Sequence, residues 1–141
     1  MFARGAACLL LSVACATGCG YLRKVGDCRR LATHVNRALT EISAARDAGG
    51  ATAETYRDLS ARYERLAHEV EIGVRTDDAR GKTLREYSQS FRETSRALTA
   101  LAFALEQKDE AGITRLQREL ATLARRDKTL PASRWPIAGC N

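Results

Sequence analysis

Apolar side chains recur every three or four residues along most of the chain after residue 27, which predicts α-helices. The first helix is capped by Asp27 and ends at Gly49 and Gly50, since glycine tolerates the left-handed backbone that often follows a helix. Its apolar stripe is Leu31, Val35, Ala38, Leu39 and Ile42. Thr52 caps the second helix. The inner face of that helix is Tyr56, Leu59, Tyr63, Leu66, Ala67, Val70 and Val74.

The apolar spacing is most regular in the third predicted helix. Thr83 and Glu86 fit the capping-box pattern S/T-x-x-E, which places the start of this helix at Thr83, after a polar connection. Alternating spacings of three and four residues then put seven side chains on one seam: Leu84, Tyr87, Phe91, Thr94, Leu98, Leu101 and Leu105. Thr94 is the polar member, and we expect its hydroxyl to bond to a carbonyl in the preceding turn.

The phase of the apolar pattern changes after Leu105. The next apolar residues lie one position later than the spacing of the seam requires: Ile113, Leu116, Leu120 and Leu123. Within one continuous helix this slip would rotate the stripe by about 100°. We therefore predict a separate fourth helix, capped by Asp109, with Glu110 favourable in its first turn, that ends near Lys128.

Four helices joined by short connections favour an all-α, antiparallel up-down four-helix bundle over residues 27–128. The tail, residues 129–141, contains Pro131 and Pro136, which exclude a long helix. We expect three of its side chains to pack on the bundle: Leu130, Trp135 and Ile137. In this topology the start of the first helix and the end of the fourth lie at the same end of the bundle.

The charge pattern argues against a nucleic-acid partner. The 141 residues include 23 Lys and Arg against 17 Asp and Glu, a formal net charge of +6. Basic and acidic residues alternate along the predicted helices, as in Arg57 and Asp58, without a run of five or six like charges. Such alternation is typical of solvated helix faces. We expect no binding of nucleic acid.

Residues 1–18 predict a secretory signal peptide. Arg4 precedes an apolar run over residues 6–14, and the small residues 16–18 lead directly to Cys19. The run is too short to span a bilayer as a mature helix. This segment resembles the lipobox signal of bacterial lipoproteins, with Ala16 where that family prefers Leu. The resemblance implies cleavage before Cys19 and lipidation of Cys19, which makes the membrane a partner of the chain.

Residues 19–26 form a short basic tether between the implied anchor and the first helix. In the lipoproteins that this segment resembles, Asp after the lipidated cysteine often retains the protein in the inner membrane. Gly20 stands at that position. The resemblance therefore implies the outer membrane, facing the periplasm, with the cell surface and the inner membrane as alternatives.

Cysteine parity bears on the cleavage site. Cleavage before Cys19 discards Cys8 and Cys15 and leaves two thiols, Cys28 and Cys140. Two remaining cysteines in an oxidising compartment indicate one disulfide, and the alternative is that both remain free thiols. Cleavage before Cys15 would lipidate that residue and leave three thiols, one of them unpaired. Parity favours Cys19 as the lipidated residue.

No motif in the sequence points to catalysis or a cofactor. The chain lacks C-x-x-C-H, and no Met follows the initiator, so covalent haem and Met/His haem sites are disfavoured. His34 and His68 flank apolar stripes on two helices, and His68 lacks the second histidine of H-E-x-x-H. Three serines surround the seam without histidine and carboxylate at a recognised spacing: Ser88, Ser90 and Ser95. We predict no catalytic residue, no metal, no cofactor and no enzymatic activity.

The sequence leaves two functions open. The first is a lipid-anchored, non-catalytic helical bundle that acts as a structural or protein-interaction module of the cell envelope, with an unidentified envelope protein as partner. The second is a ligand-binding or sensing module for a small or anionic envelope component. A concave pocket with converging arginines would favour the second over the first.

Overall fold

The computed structural model describes residues 29–73 and 79–129, with the side chains of residues 79–80 and 127–129 left out of the description. The described residues form helix α1 over residues 29–49, α2 (Ala53–Ile72), α3 (Ala79–Gln107) and α4 (Glu110–Thr129), without a strand. The predicted all-α four-helix bundle is confirmed. The signal segment, the tether, the C-terminal tail, and with them the Asp27 cap and all five cysteines, lie outside the described residues.

The connection between α1 and α2 agrees with the sequence prediction. Gly50 adopts φ 67° directly after α1, in the left-handed region that glycine enters without steric cost. Thr52 caps α2, because its hydroxyl oxygen accepts a hydrogen bond from the Thr55 amide at 3.1 Å. The Thr55 hydroxyl in turn donates to the Gly49 carbonyl at 2.7 Å, which ties the start of α2 to the end of α1.

The predicted break between the third and fourth helices is also confirmed. Lys108 adopts φ 55°, and its amide donates to the Leu105 carbonyl at 3.2 Å. The Asp109 amide donates to the Ala104 carbonyl at 2.9 Å. These two bonds form a Schellman motif, which ends α3. Asp109 then caps α4, since its Oδ1 accepts from the Gly112 amide at 2.9 Å.

The start of α3 differs from the prediction. The helix begins at Ala79, so Thr83 lies inside it and is not its N-cap. The only poor helix former between these residues is Gly81, which costs about 1 kcal/mol relative to Ala in a helix interior. Gly81 is buried, and packing of this turn against the bundle offsets that cost. The local capping pattern is therefore overridden by tertiary structure.

Helix α3 supplies most of the core. Six of its seven predicted seam residues are at most 9% exposed, and Leu105 is half-buried. The buried face is wider than the seam, because α2 and α4 flank α3 on two sides. The additional buried residues of α3 are Gly81, Ser88, Ser90, Ser95, Ala97, Ala102 and Ala104. The seam is confirmed, and α3 is the central helix of the bundle.

Thr94 does not form the hydrogen bond expected of it. Its hydroxyl oxygen is buried and has no hydrogen-bond partner among the described residues. The neighbouring seam positions, Phe91 and Leu98, are 5% exposed, so water is excluded around this turn. We infer that core packing, rather than a bond to the preceding turn, determines the orientation of the Thr94 side chain.

Contacts between helices establish an antiparallel order. His34 of α1 contacts Glu69 of α2, whereas the end of α1 meets the start of α2. Helices α2 and α3 meet through Ser60 with Ser95, and through Ala67 with Ser88. Arg126, near the end of α4, contacts α3. Residues 29 and 129 therefore lie toward the same end of the bundle, as the sequence predicts.

Candidate functional site

Three hydroxyl groups lie together between α2 and α3. The Ser60 hydroxyl donates to the Ser95 carbonyl at 2.9 Å, and the Ser95 hydroxyl donates to the Ser60 carbonyl at 3.0 Å. Each serine has then used its only proton, so Thr99 donates to Ser60 Oγ across 2.7 Å. Small side chains allow the two helices to approach closely here. The cluster acts in packing, and Ser60 is a member that the sequence pattern did not reveal.

The other two serines of α3 also bond to neighbouring helices. Ser88 Oγ donates to the Ala67 carbonyl at 2.9 Å. Ser90 Oγ accepts from Arg126 at 3.2 Å. The hydrogen bonds of Ser60, Ser88 and Ser95 all go to backbone carbonyls or other hydroxyls. Among the described residues these three serines therefore lack the adjacent base that would activate a nucleophile.

The two histidines are placed as separate surface groups. His34 Nε2 lies 2.7 Å from Glu69 Oε2, and Arg37 donates to His34 Nδ1 at 3.1 Å. With Nδ1 accepting, the proton of the neutral ring is assigned to Nε2, which donates to Glu69. His68 is exposed on the neighbouring helix and makes no such contact. Within residues 29–73 and 79–129, no group of three His, Cys, Asp or Glu side chains is arranged to hold a metal ion.

The outward face of α3 carries an arginine-rich surface. Arg85, Gln89, Arg92 and Arg96 follow one another at spacings of four, three and four residues, which places them on one side of the helix. They line an open cleft of about 380 Å³. The complete lining is Glu71, Arg85, Ser88, Gln89, Arg92, Glu93 and Arg96. We call this surface the arginine face.

Carboxylates from two helices partly neutralise the arginine face. Arg92 forms an ion pair with Glu71 and lies 3.8 Å from Glu64, both on α2. Glu93 accepts from Arg126 of α4 at 2.6 Å and from Gln89 at 3.0 Å. These ion pairs link α3 to both flanking helices.

The pKa of Glu93 reflects these contacts. The hydrogen bond from Arg126 is the main cause that lowers the pKa from its ordinary value of 4.5, and burial opposes it. The hydrogen bond from Gln89 and the charges of Arg126 and Arg96 lower the pKa further. Glu93 is therefore an ionised partner of α4 at neutral pH.

Arg96 differs from its neighbours on the arginine face. Its side chain is exposed, and among the described residues it forms no direct ion pair. A guanidinium offers five donors in a planar fork that matches carboxylate and phosphate groups. The cleft can therefore accept one anionic group at Arg96 without breaking an ion pair. Its lining carries three arginines and two glutamates, which gives a net charge of only +1.

The residues on which the envelope prediction depends, Cys19, Cys28 and Cys140, lie outside the described residues, so their predicted roles stay predictions. In the part of the chain that the structure describes, no helix combines the length and apolar character needed to cross a bilayer. The chain matches no family model, no curated protein and no solved structure.

Proposed function

We propose that this chain is a lipid-anchored protein of the bacterial cell envelope, attached through Cys19, whose non-catalytic four-helix bundle is a structural or protein-interaction module. The proposal of a non-catalytic, structural or protein-interaction module rests on the observation that the polar groups of the bundle contact one another. Buried hydroxyls such as Ser60, Ser88 and Ser95 join helices to each other. Charged groups lie in surface ion pairs, as in Arg62 with Asp58 at 2.7 Å.

The anchor is supported by the lipobox-like segment that ends at Cys19. Several acyl chains, palmitate among them, are attached to that cysteine in the lipoproteins that the segment resembles, and more than one chain is what stable anchoring requires. Gly20 favours the outer membrane, with the bundle facing the periplasm.

A disulfide between Cys28 and Cys140 is consistent with the topology of the bundle. Cys28 directly precedes the first described residue of α1, and Cys140 lies eleven positions after the end of α4. An extended segment of that length reaches up to about 36 Å. Because α1 starts and α4 ends toward the same end of the bundle, the tail is long enough for the two cysteines to meet.

Fractionation of cells that express single cysteine variants tests the anchor. Cys19→Ser should move the protein out of the membrane fraction or leave the signal peptide uncleaved. Cys15→Ser is the matched control and should fractionate with the membranes as the unmodified chain does. Membrane association that persists in Cys19→Ser but is lost in Cys15→Ser would place the anchor on Cys15 and overturn the assignment.

Binding of an anionic envelope component is a second candidate function, which the arginine face favours. Exposed Arg96 faces a cleft shared with Arg85 and Arg92. Calorimetric titration of the bundle with inorganic phosphate should give saturable binding that Arg96→Gln abolishes. Arg118→Gln, on the exposed side of α4, is the matched control. Equal heats for both variants would remove this candidate.

A further inference from the structure

The two ends of the bundle carry opposite net charge. We define the terminal end as residues 29–33, 68–73, 81–86 and 125–126, and the distal end as residues 45–58 and 103–111. The terminal end has six basic and three acidic side chains, a net charge of +3, and the distal end has three basic and six acidic side chains, a net charge of −3. Residues 74–80 and 127–129 are next in sequence to the terminal end. They hold equal numbers of basic and acidic side chains, so they add no net charge to it.

Four cations of the terminal end are available to a partner. They are exposed and form no ion pair among the described residues: Arg29, Arg30, Lys82 and Arg125. Two of the three carboxylates at this end are already engaged, Glu69 by His34 and Glu71 by Arg92. These four positive charges therefore face solvent, whereas Arg126 is paired with Glu93, and Glu71 is compensated by Arg92.

Helix stability accounts for only part of this distribution at the terminal end, since Arg125 and Arg126 near the end of α4 suit its dipole. The two helices that start at the distal end carry an acidic residue in their first turn, Glu54 in α2 and Glu110 in α4, which complements the helix dipole. Helix α3 starts at the terminal end, has no acidic residue in its first turn, and carries Lys82 there. A cation at a helix N-terminus is unfavourable for the helix itself.

The two charged ends act independently in solution. The 29 residues of α3 span about 43 Å along the bundle axis. The Debye length is about 8 Å at physiological ionic strength, so a surface that meets one end is screened from the other. A partner that contacts the terminal end therefore experiences a local charge of +3 rather than the charge of the whole chain.

We propose that the terminal end is a docking surface for anionic lipid headgroups, and that it orients the bundle with its distal end away from the membrane. The tether leads into α1 at this same end. Its ten residues, 19–28, reach up to about 35 Å when extended, so the anchor alone leaves the orientation of the bundle free. This inference rests on the proposed membrane anchor for its biological setting. Binding of the bundle to vesicles does not depend on that anchor.

The test uses unlipidated protein, a chain that begins at residue 19 and carries Cys19→Ser. Its partitioning is measured by co-sedimentation with vesicles of phosphatidylcholine alone or with 30% phosphatidylglycerol. Each basic residue near an anionic surface contributes about a fivefold factor. A net charge of +3 thus predicts a molar partition coefficient on the order of 10² M⁻¹ for the anionic vesicles, with about half of the protein bound at 10 mM lipid.

Two variants with the same change in total charge separate the terminal end from the rest of the surface. The terminal variant carries R29Q, R30Q, K82Q and R125Q, which leaves that end with a net charge of −1. The control variant carries R65Q, K108Q, R115Q and R118Q, all exposed cations outside both the terminal end and the arginine face. Both should keep the circular dichroism spectrum of the parent chain, because all eight side chains are exposed.

Binding should fall below detection in the terminal variant and change less than about threefold in the control variant. Equal losses in both variants would show that total charge, not the terminal end, drives association, and would overturn the proposal. Equal binding of the parent chain to both kinds of vesicle would also overturn it. Neither result bears on lipidation, which fractionation of Cys19→Ser tests separately.

Discussion

Replacing Thr94 by Val should stabilise the bundle. Thr94 Oγ1 is buried without a hydrogen-bond partner among the described residues, on the seam of the central helix. An unsatisfied buried polar group costs about 1–3 kcal/mol, because its hydrogen bonds to water are lost on folding. Valine keeps the branched shape, removes the hydroxyl and has a similar helix propensity. We expect the free energy of unfolding to rise by about 1–2 kcal/mol.

Urea unfolding followed by circular dichroism measures this change. The midpoint should increase with an unchanged m-value, since the surface exposed on unfolding stays the same. In a domain of about 100 residues, each 1 kcal/mol raises the melting temperature by about 4–8 °C. Ser95→Ala is the matched control on the same helix. It removes a hydroxyl that donates to the Ser60 carbonyl, and should lower the free energy of unfolding by about 1 kcal/mol.

The opposite sign would refute the reasoning. If Thr94→Val lowers the free energy of unfolding by 1 kcal/mol or more, the hydroxyl has a partner in the folded protein. Thr94→Ser distinguishes the hydroxyl from the methyl group. It keeps the unsatisfied oxygen and loses buried apolar volume, so it should be less stable than the parent chain.

Three further predictions test the helix ends, the core and the link to α4. Asp109→Ala should lower the free energy of unfolding by about 1 kcal/mol, because α4 loses its cap. Lys108→Gly should raise the free energy of unfolding by up to about 1 kcal/mol, because glycine adopts the left-handed backbone without strain. Thermal unfolding that ranks the two variants in the reverse order would contradict the cap assignment. Leu98→Asp should abolish cooperative unfolding, because it places an unpaired charge at a position that is 5% exposed, and a native melting temperature would exclude that position from the core. Because its pKa is lowered in the folded protein, ionised Glu93 stabilises the fold fully above the ordinary carboxyl pKa of 4.5, and this contribution is lost as the pH falls from that value through the folded pKa. In Glu93→Gln, the free energy of unfolding should therefore fall less steeply with decreasing pH than in the parent chain. An equally steep fall in both proteins would contradict the ion pair with Arg126.

The sequence predicts most of the fold because its signals are local. The Gly50 turn, the Thr52 cap and the Asp109 cap each depend on a few adjacent residues, and all three are confirmed. The one-residue slip after Leu105 is equally local, and Lys108 marks the break that it predicts. Apolar periodicity then defines the core face of α3.

The remaining features depend on which residues meet across helices. The Ser60, Ser95 and Thr99 cluster requires the register of α2 against α3, which no single helix encodes. The start of α3 at Ala79 depends on packing of Gly81, and so escapes a local capping rule. The arginine face was predictable as a helix surface, but its pairing with Glu71 depends on the position of α2.

The central claim is attachment through Cys19, and intact mass spectrometry of the native protein extracted from membranes tests it most directly. We predict a mature chain that begins at Cys19, carries the mass of attached acyl chains, and gains two hydrogens on reduction of a bond between Cys28 and Cys140. An unlipidated chain cleaved at another residue would contradict the claim and identify this protein as a secreted bundle, whereas acyl mass on a chain that begins at Cys15 would move the anchor to that residue.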